Sequence, residues 1–104
     1  MYLFTIMATL KSGNIESEEV GGAYVNAWIS FPDKDGAESL AKFYIDAAGW
    51  SPGLTRDSAW FEETGDVAEE DRGYFLEASC HGSCLVFHEW PKHAEDTNVE
   101  YDIN

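Results

Sequence analysis

Apolar and polar residues alternate from the first residues of the chain. Tyr2, Phe4, Ile6, Ala8 and Leu10 fall on one side of an extended segment, and Leu3, Thr5, Met7 and Thr9 fall on the other. That period of two predicts a strand over Met1–Leu10. Lys11–Gly22 is rich in Gly, Ser and Glu and reads as a loop. Ala23–Phe31 returns to the strand pattern, with Val25, Ala27, Ile29 and Phe31 opposite Tyr24, Asn26, Trp28 and Ser30. Antiparallel pairing of these two strands is the simplest arrangement.

The period then changes. After Pro32, Ala37, Leu40, Ala41, Tyr44, Ala47 and Ala48 form an apolar stripe at helical spacing, with Phe43 at its edge. Asp35 is the expected cap, with Glu38 three residues on in capping-box position, and Gly49 suits the residue after the helix end. Over Trp50–Glu63, Pro52 and Gly53 interrupt a segment whose end, Ala59, Trp60 and Phe61, is strand-like. It reads as one strand from about Leu54 to Glu62, kinked or split. Thr64–Glu70 is an acidic loop, and Asp71–His81 is a short helix with Tyr74, Phe75 and Ala78 on its apolar face and Gly82 at its end. Cys84–Trp90 is an apolar strand stopped by Pro91. In residues 91–104, Thr97, Val99, Tyr101 and Ile103 alternate with polar residues, which suits either an acidic tail or an edge strand.

The order strand, strand, helix, strand, helix, strand predicts a single α+β domain over residues 1–104. The expected form is a two-layer sandwich, a mostly antiparallel sheet of four to five strands with two helices on one face. Leu40, Tyr44 and Ala47, with Phe75 and Ala78, are expected to face the sheet. The architecture resembles the ferredoxin-like class of small sandwiches, a likeness that implies no particular function.

Charge narrows the partners. Twenty acidic residues against six basic ones give a net charge of −14. Such a field repels phosphate backbones and anionic lipid, so no nucleic-acid or membrane binding is expected, and it favours a basic protein partner. Two cysteines do not make a disulfide scaffold. The apolar opening has no basic run before it and no long apolar segment after it, so neither signal peptide nor membrane span is expected and the location read from the sequence is cytoplasmic.

Candidate chemistry is sparse. Cys80, His81, Cys84 and His88, with His93 nearby, are suitable elements for zinc. Their spacing is not: Cys80 and Cys84 straddle a helix end, and Cys84 and His88 on one strand face lie roughly 13 Å apart. No structural metal and no cofactor are therefore expected. Cys80 beside His81 sits at a helix C-terminus, where the dipole disfavours a thiolate. Asp33-Lys34-Asp35-Gly36 echoes the start of a calcium loop but lacks the later ligands, and helix capping explains it. The acidic runs Glu16/Glu18/Glu19, Glu62/Glu63 and Glu69/Glu70/Asp71 read as solvated loops. Nucleotide-binding and hydrolase signatures are absent from the sequence.

Two function classes remain. The first is a non-catalytic binding or regulatory domain acting through protein–protein contacts, as a homodimer. Its strands carry apolar residues on both faces, Leu3 and Met7 opposite Phe4 and Ile6, and Leu85 and Phe87 opposite Val86 and Trp90, so a sheet covered on one side needs a second cover. The alternative is a small enzyme or ligand-binding domain with a pocket between sheet and helices, using His88 or a carboxylate such as Glu62.

Overall fold

A computed structural model describes residues 1–11 and 20–91. Strand β1 (Tyr2–Leu10) and strand β2 (Val20–Ile29) pair antiparallel and are followed by helix α1 (Lys34–Ala47) and strand β3 (Trp50–Trp60). Two single-turn 3-10 segments, Thr64–Asp66 and Glu69–Asp71, lead into helix α2 (Arg72–His81), and strand β4 (Ser83–Pro91) follows. Among the described residues the sheet has four strands in the order β3-β1-β2-β4, every neighbouring pair antiparallel. The further edge strand considered for residues 97–104 lies outside the described residues.

The two helices cover opposite faces of the sheet, which corrects the expectation that both lie on one face. Directly opposed residues in an antiparallel ladder share a face. Phe4, Ala27 and Leu85 align on one side, and Leu3, Trp28 and Cys84 align on the other. Phe4, Ile6, Ala8, Val25, Ala27 and Ile29 are buried on the first face under Ala37, Ala41 and Ile45 of α1. Trp28 is buried on the second face with Met1 and Val67, under Phe75 and Ala78 of α2. The connections explain this. Helix α1 links β2 to β3 over the first face, and α2 must then carry the chain from one sheet edge to the other across the second. The resemblance to one-sided ferredoxin-like sandwiches therefore does not extend to the placement of the helices.

Helix α1 starts two residues earlier than its sequence signal. Asp33, not Asp35, is the cap, its carboxylate accepting the Gly36 N–H at 2.7 Å. Ala37, Ala41 and Ile45 form the buried line, with Leu40 and Tyr44 partly buried beside it. Ala47 and Ala48 are exposed, so Ile45 takes the place expected of Ala47. Gly49 (φ +95°) and Gly82 (φ +93°) end the two helices in the left-handed region, as glycine allows. Lys11 bonds Asp46 at 3.0 Å and ties the end of β1 to α1.

Strand β3 begins four residues earlier than its sequence pattern suggested and is bulged. Its register slips between Thr5 and Ile6, and again between Ile6 and Ala8. Pro52 is accommodated because β3 is an edge strand. The first slip leaves Arg56 unpaired between Asp57 and Thr55. A bulge re-aims the side chain it frees. Thr55 bonds Glu38 of α1 on the first face, while Arg56 reaches Met7 and Tyr24 on the second.

Candidate functional site

Among the described residues, the second face is covered at one end only. Helix α2 has ten residues, about 15 Å of length, against strands of roughly 30 Å. It packs over Leu3, Trp28, Cys84 and Val86. Beyond it, the same face continues with Thr5 and Met7 on β1, Tyr24 and Asn26 on β2, and His88 and Trp90 on β4. Tyr24 is 39% exposed, His88 is exposed, and Asn26 and Trp90 are half-buried.

Two clusters occupy this half. The first is a polar row across three strands. Thr5 Oγ1 donates to Asn26 Oδ1 at 3.0 Å, and Asn26 Nδ2 lies 3.3 Å from His88 Nε2. The pairing register sets the row: Thr5 lies directly opposite Asn26, and His88 is its diagonal neighbour two residues past Val86. The second is an aromatic and cationic cluster. Tyr24 and Trp90 pack with ring centroids 5.0 Å apart and planes tilted by 52°, and the Arg56 guanidinium lies 5.9 Å from the Tyr24 ring centre while donating to Met7 Sδ at 3.4 Å. The Trp90 ring packs close against β2 because Gly22 offers no side chain there: a Cβ would stand 2.6 Å from the ring.

Arg56 is the residue of this cluster that sequence reasoning missed. Simple alternation along β3 puts it on the α1 side, and only the bulge turns it over. In a chain of charge −14, Lys11 and Lys42 pair with Asp46 and Glu38, whereas Arg56 makes no ion pair among the described residues. Its contacts are with a sulfur and an aromatic face.

The residues singled out for chemistry do not converge. Cys80 is exposed on the last turn of α2, and His81 beside it bonds Glu77 of its own helix at 3.4 Å. Cys84 lies under α2, where burial, with the Glu77 charge adding to it, pushes its thiol above the ordinary thiol range. A thiol so held stays protonated at neutral pH and is a poor nucleophile. Among the described residues no three His, Cys, Asp or Glu side chains group closely enough to hold a metal ion, and His93 lies outside those residues. Glu62 accepts the Trp60 indole N–H at 3.1 Å on the exposed surface. Glu63 and Asp66 cap their own turn, Asp66 accepting the Glu63 N–H at 3.2 Å. The run Glu16/Glu18/Glu19 lies outside the described residues.

Among the described residues, two of the clefts beside the sheet are shallow. One, of about 100 Å³, runs beside Met7, Thr9, Gly53 and Trp90 on the second face. The other, of about 180 Å³, lies by Tyr2, Lys34 and Trp60 at the start of α1. Both fall short of the roughly 300–1,000 Å³ of ordinary small-molecule sites. No described helix is long and apolar enough to cross a membrane. Comparison with protein-family models, curated proteins and solved structures finds no match to this chain.

Proposed function

We propose that this chain is a non-catalytic binding domain that acts through protein–protein contacts, and that the exposed half of the second sheet face is its contact surface. The observation that carries this reading is the company of side chains there. Tyr, Trp, Met and Arg are the residues enriched at protein interfaces, and Tyr24, Trp90, Met7 and Arg56 stand together on this half-face. Asn26 and His88 add the polar contacts that fix orientation. Among the described residues, these two clefts are small and the reactive groups dispersed, which favours the binding reading over the enzyme alternative.

The proposed occupant is a second copy of the chain. A two-fold pair places the same patch on both sides and is the commonest oligomer. Sedimentation at micromolar concentration tests it, with the Tyr24→Glu variant as control, because that side chain is exposed and its replacement leaves the core intact. The wild type is expected to sediment as a dimer and the variant as a monomer. A basic protein is the second reading, favoured by the charge of −14. Complementary charge would speed that encounter and make it fall with added salt. A monomeric wild type that binds a basic partner through Tyr24 and Trp90 would decide for this reading.

A further inference from the structure

The geometry points to the outer edge of β4 as the seam through which a second copy joins. The two β4 strands pair antiparallel about a two-fold axis at Val86 and make one continuous sheet of both chains. This rests on the homodimer of the proposed function and names the strand that forms it.

The Ser30 N–H donates to the Gly82 carbonyl at 2.9 Å, one step beyond the Ile29–Ser83 pair. Opposed residues of an antiparallel ladder alternate between pairs that exchange backbone bonds and pairs that do not. Cys84, Val86 and His88 therefore turn their backbone groups toward β2, and Ser83, Leu85, Phe87 and Glu89 turn theirs outward. The far side of the sheet agrees. Met1 and Phe61 exchange both backbone bonds at 2.9 Å. The same alternation turns Phe4 and Ile6 toward Ala27 and Val25, which leaves Asn26 and Trp28 of β2 to bond β4. Among the described residues nothing pairs with the outward groups of β4, an edge strand. The two edges are not alike. Strand β3 carries Pro52, a bulged register, Arg56 and Asp57, the devices that discourage pairing at an edge. From Ser83 to Phe87, β4 has no proline, no charge and no slip of register, and Cys84, Leu85, Val86 and Phe87 are only half-buried.

The strand is complementary to itself. An axis at Val86 sets Leu85 opposite the partner's Phe87 and Ser83 opposite the partner's Glu89, so all of the outward residues bond one another. An axis at Leu85 or Phe87 keeps the same alternation but runs Glu89 against the helix end at His81 or against Leu85. The Val86 register also answers the charge of −14, because the seam joins two uncharged runs and sets each Glu89 against a serine and not against its own copy. On the second face it sets Cys84 beside the partner's His88. Helix α2 covers β4 at Cys84 and Val86. The partner's α2 therefore stands beside the end of β4 that carries His88 and Trp90, the half its own helix does not reach. Edge pairing is thus continuous with the exposed half-face.

Amide hydrogen exchange and sedimentation of the intact chain at micromolar concentration test this together. The wild type should sediment as a dimer, with the Leu85 and Phe87 amides protected although they point away from β2. Glu89→Pro removes an outward N–H that β2 does not use, at a position where an edge strand tolerates proline. It should sediment as one chain with both amides exchanging freely, whereas Glu89→Gln should stay dimeric. Val86→Cys, made with Cys80→Ser and Cys84→Ser, keeps the test independent of the proline. Mild oxidation should link its two copies, because opposed residues of a non-bonded pair bring their side chains closest. A dimeric wild type whose Leu85 and Phe87 amides exchange freely, or whose Val86→Cys form does not link, would overturn the edge pairing and leave the half-face homodimer standing. A monomeric wild type would overturn both, and protected Leu85 and Phe87 amides in it would assign the edge to another segment of the same chain.

Discussion

Trp28 is 2% exposed, yet its indole N–H has no hydrogen-bond partner among the described residues. A buried donor left unpaired costs about 1–3 kcal/mol. Replacing Trp28 with Phe removes that donor while giving up part of the ring burial, so the two effects nearly offset. The Trp28→Phe variant is expected to change stability by less than about 1 kcal/mol, whereas Phe4→Ala should cost about 3–5 kcal/mol. Urea unfolding compares them, and equal losses would show that the indole N–H is satisfied. The two cysteines divide similarly by environment. Burial, then the Glu77 charge, raises the folded-state pKa of Cys84 above its unfolded value. Its contribution to stability is therefore fully present below the unfolded value and is lost as pH rises through the folded one, on the alkaline side of roughly pH 8.5. Limited alkylation near neutral pH should label exposed Cys80 first; mass spectrometry showing Cys84 labelled as fast would contradict the burial assigned to it. Sequence alone shows that these thiols are poorly spaced for a metal, but not which of them is covered, because cover comes from α2 and not from their neighbours in the chain.

Helix α1 was legible because its apolar positions repeat at helical spacing over four turns. Its detail was not. Ala37, Ala41 and Ile45 lie four residues apart and form the buried line, while the run of alanines at its end, Ala47 and Ala48, draws the eye to a face that is exposed. Ile45→Ala is accordingly expected to cost about 2–5 kcal/mol and to exceed Leu40→Ala, whose side chain is only partly buried. A larger loss at Leu40 would show that the helix is rotated from its described position. At its start, two aspartates compete for the cap, and Glu38 makes Asp35 the attractive choice. Asp33 holds the bond to Gly36, so Asp33→Ala should cost about 1 kcal/mol and Asp35→Ala far less. The strands were legible from their period of two. The bulge in β3 was not, since a slip of register is a property of the pair and leaves no mark in one strand's own alternation. Arg56, the one cation that the described residues bring onto this half-face, is therefore visible only in the folded molecule.

At the scale of the whole molecule, the sequence carried a correct problem and an incomplete solution. Apolar residues on both faces of the strands demanded two covers, and a homodimer was the cover inferred. The chain itself supplies part of the second cover, because β3 and β4 are opposite edges of the sheet and the segment joining them has to cross a face. Strand order of that kind is set by long-range pairing, which no local pattern reports. Helix α2 is too short to finish the task, and among the described residues it leaves Tyr24, Trp90, Met7, Arg56, Asn26 and His88 without a helix over them. The proposal rests on this remainder. Two chains of charge −14 repel one another, so a pair held by the half-face should strengthen as salt screens that repulsion over a Debye length of about 10 Å at 0.1 M. Sedimentation velocity at micromolar concentration, run at low and moderate salt, is the most direct measurement of the claim. The account predicts a particle of twice the 11.6 kDa chain mass, firmer at the higher salt and reduced to a single chain by Tyr24→Glu. A wild-type chain that sediments as one 11.6 kDa particle at both salt concentrations would contradict it.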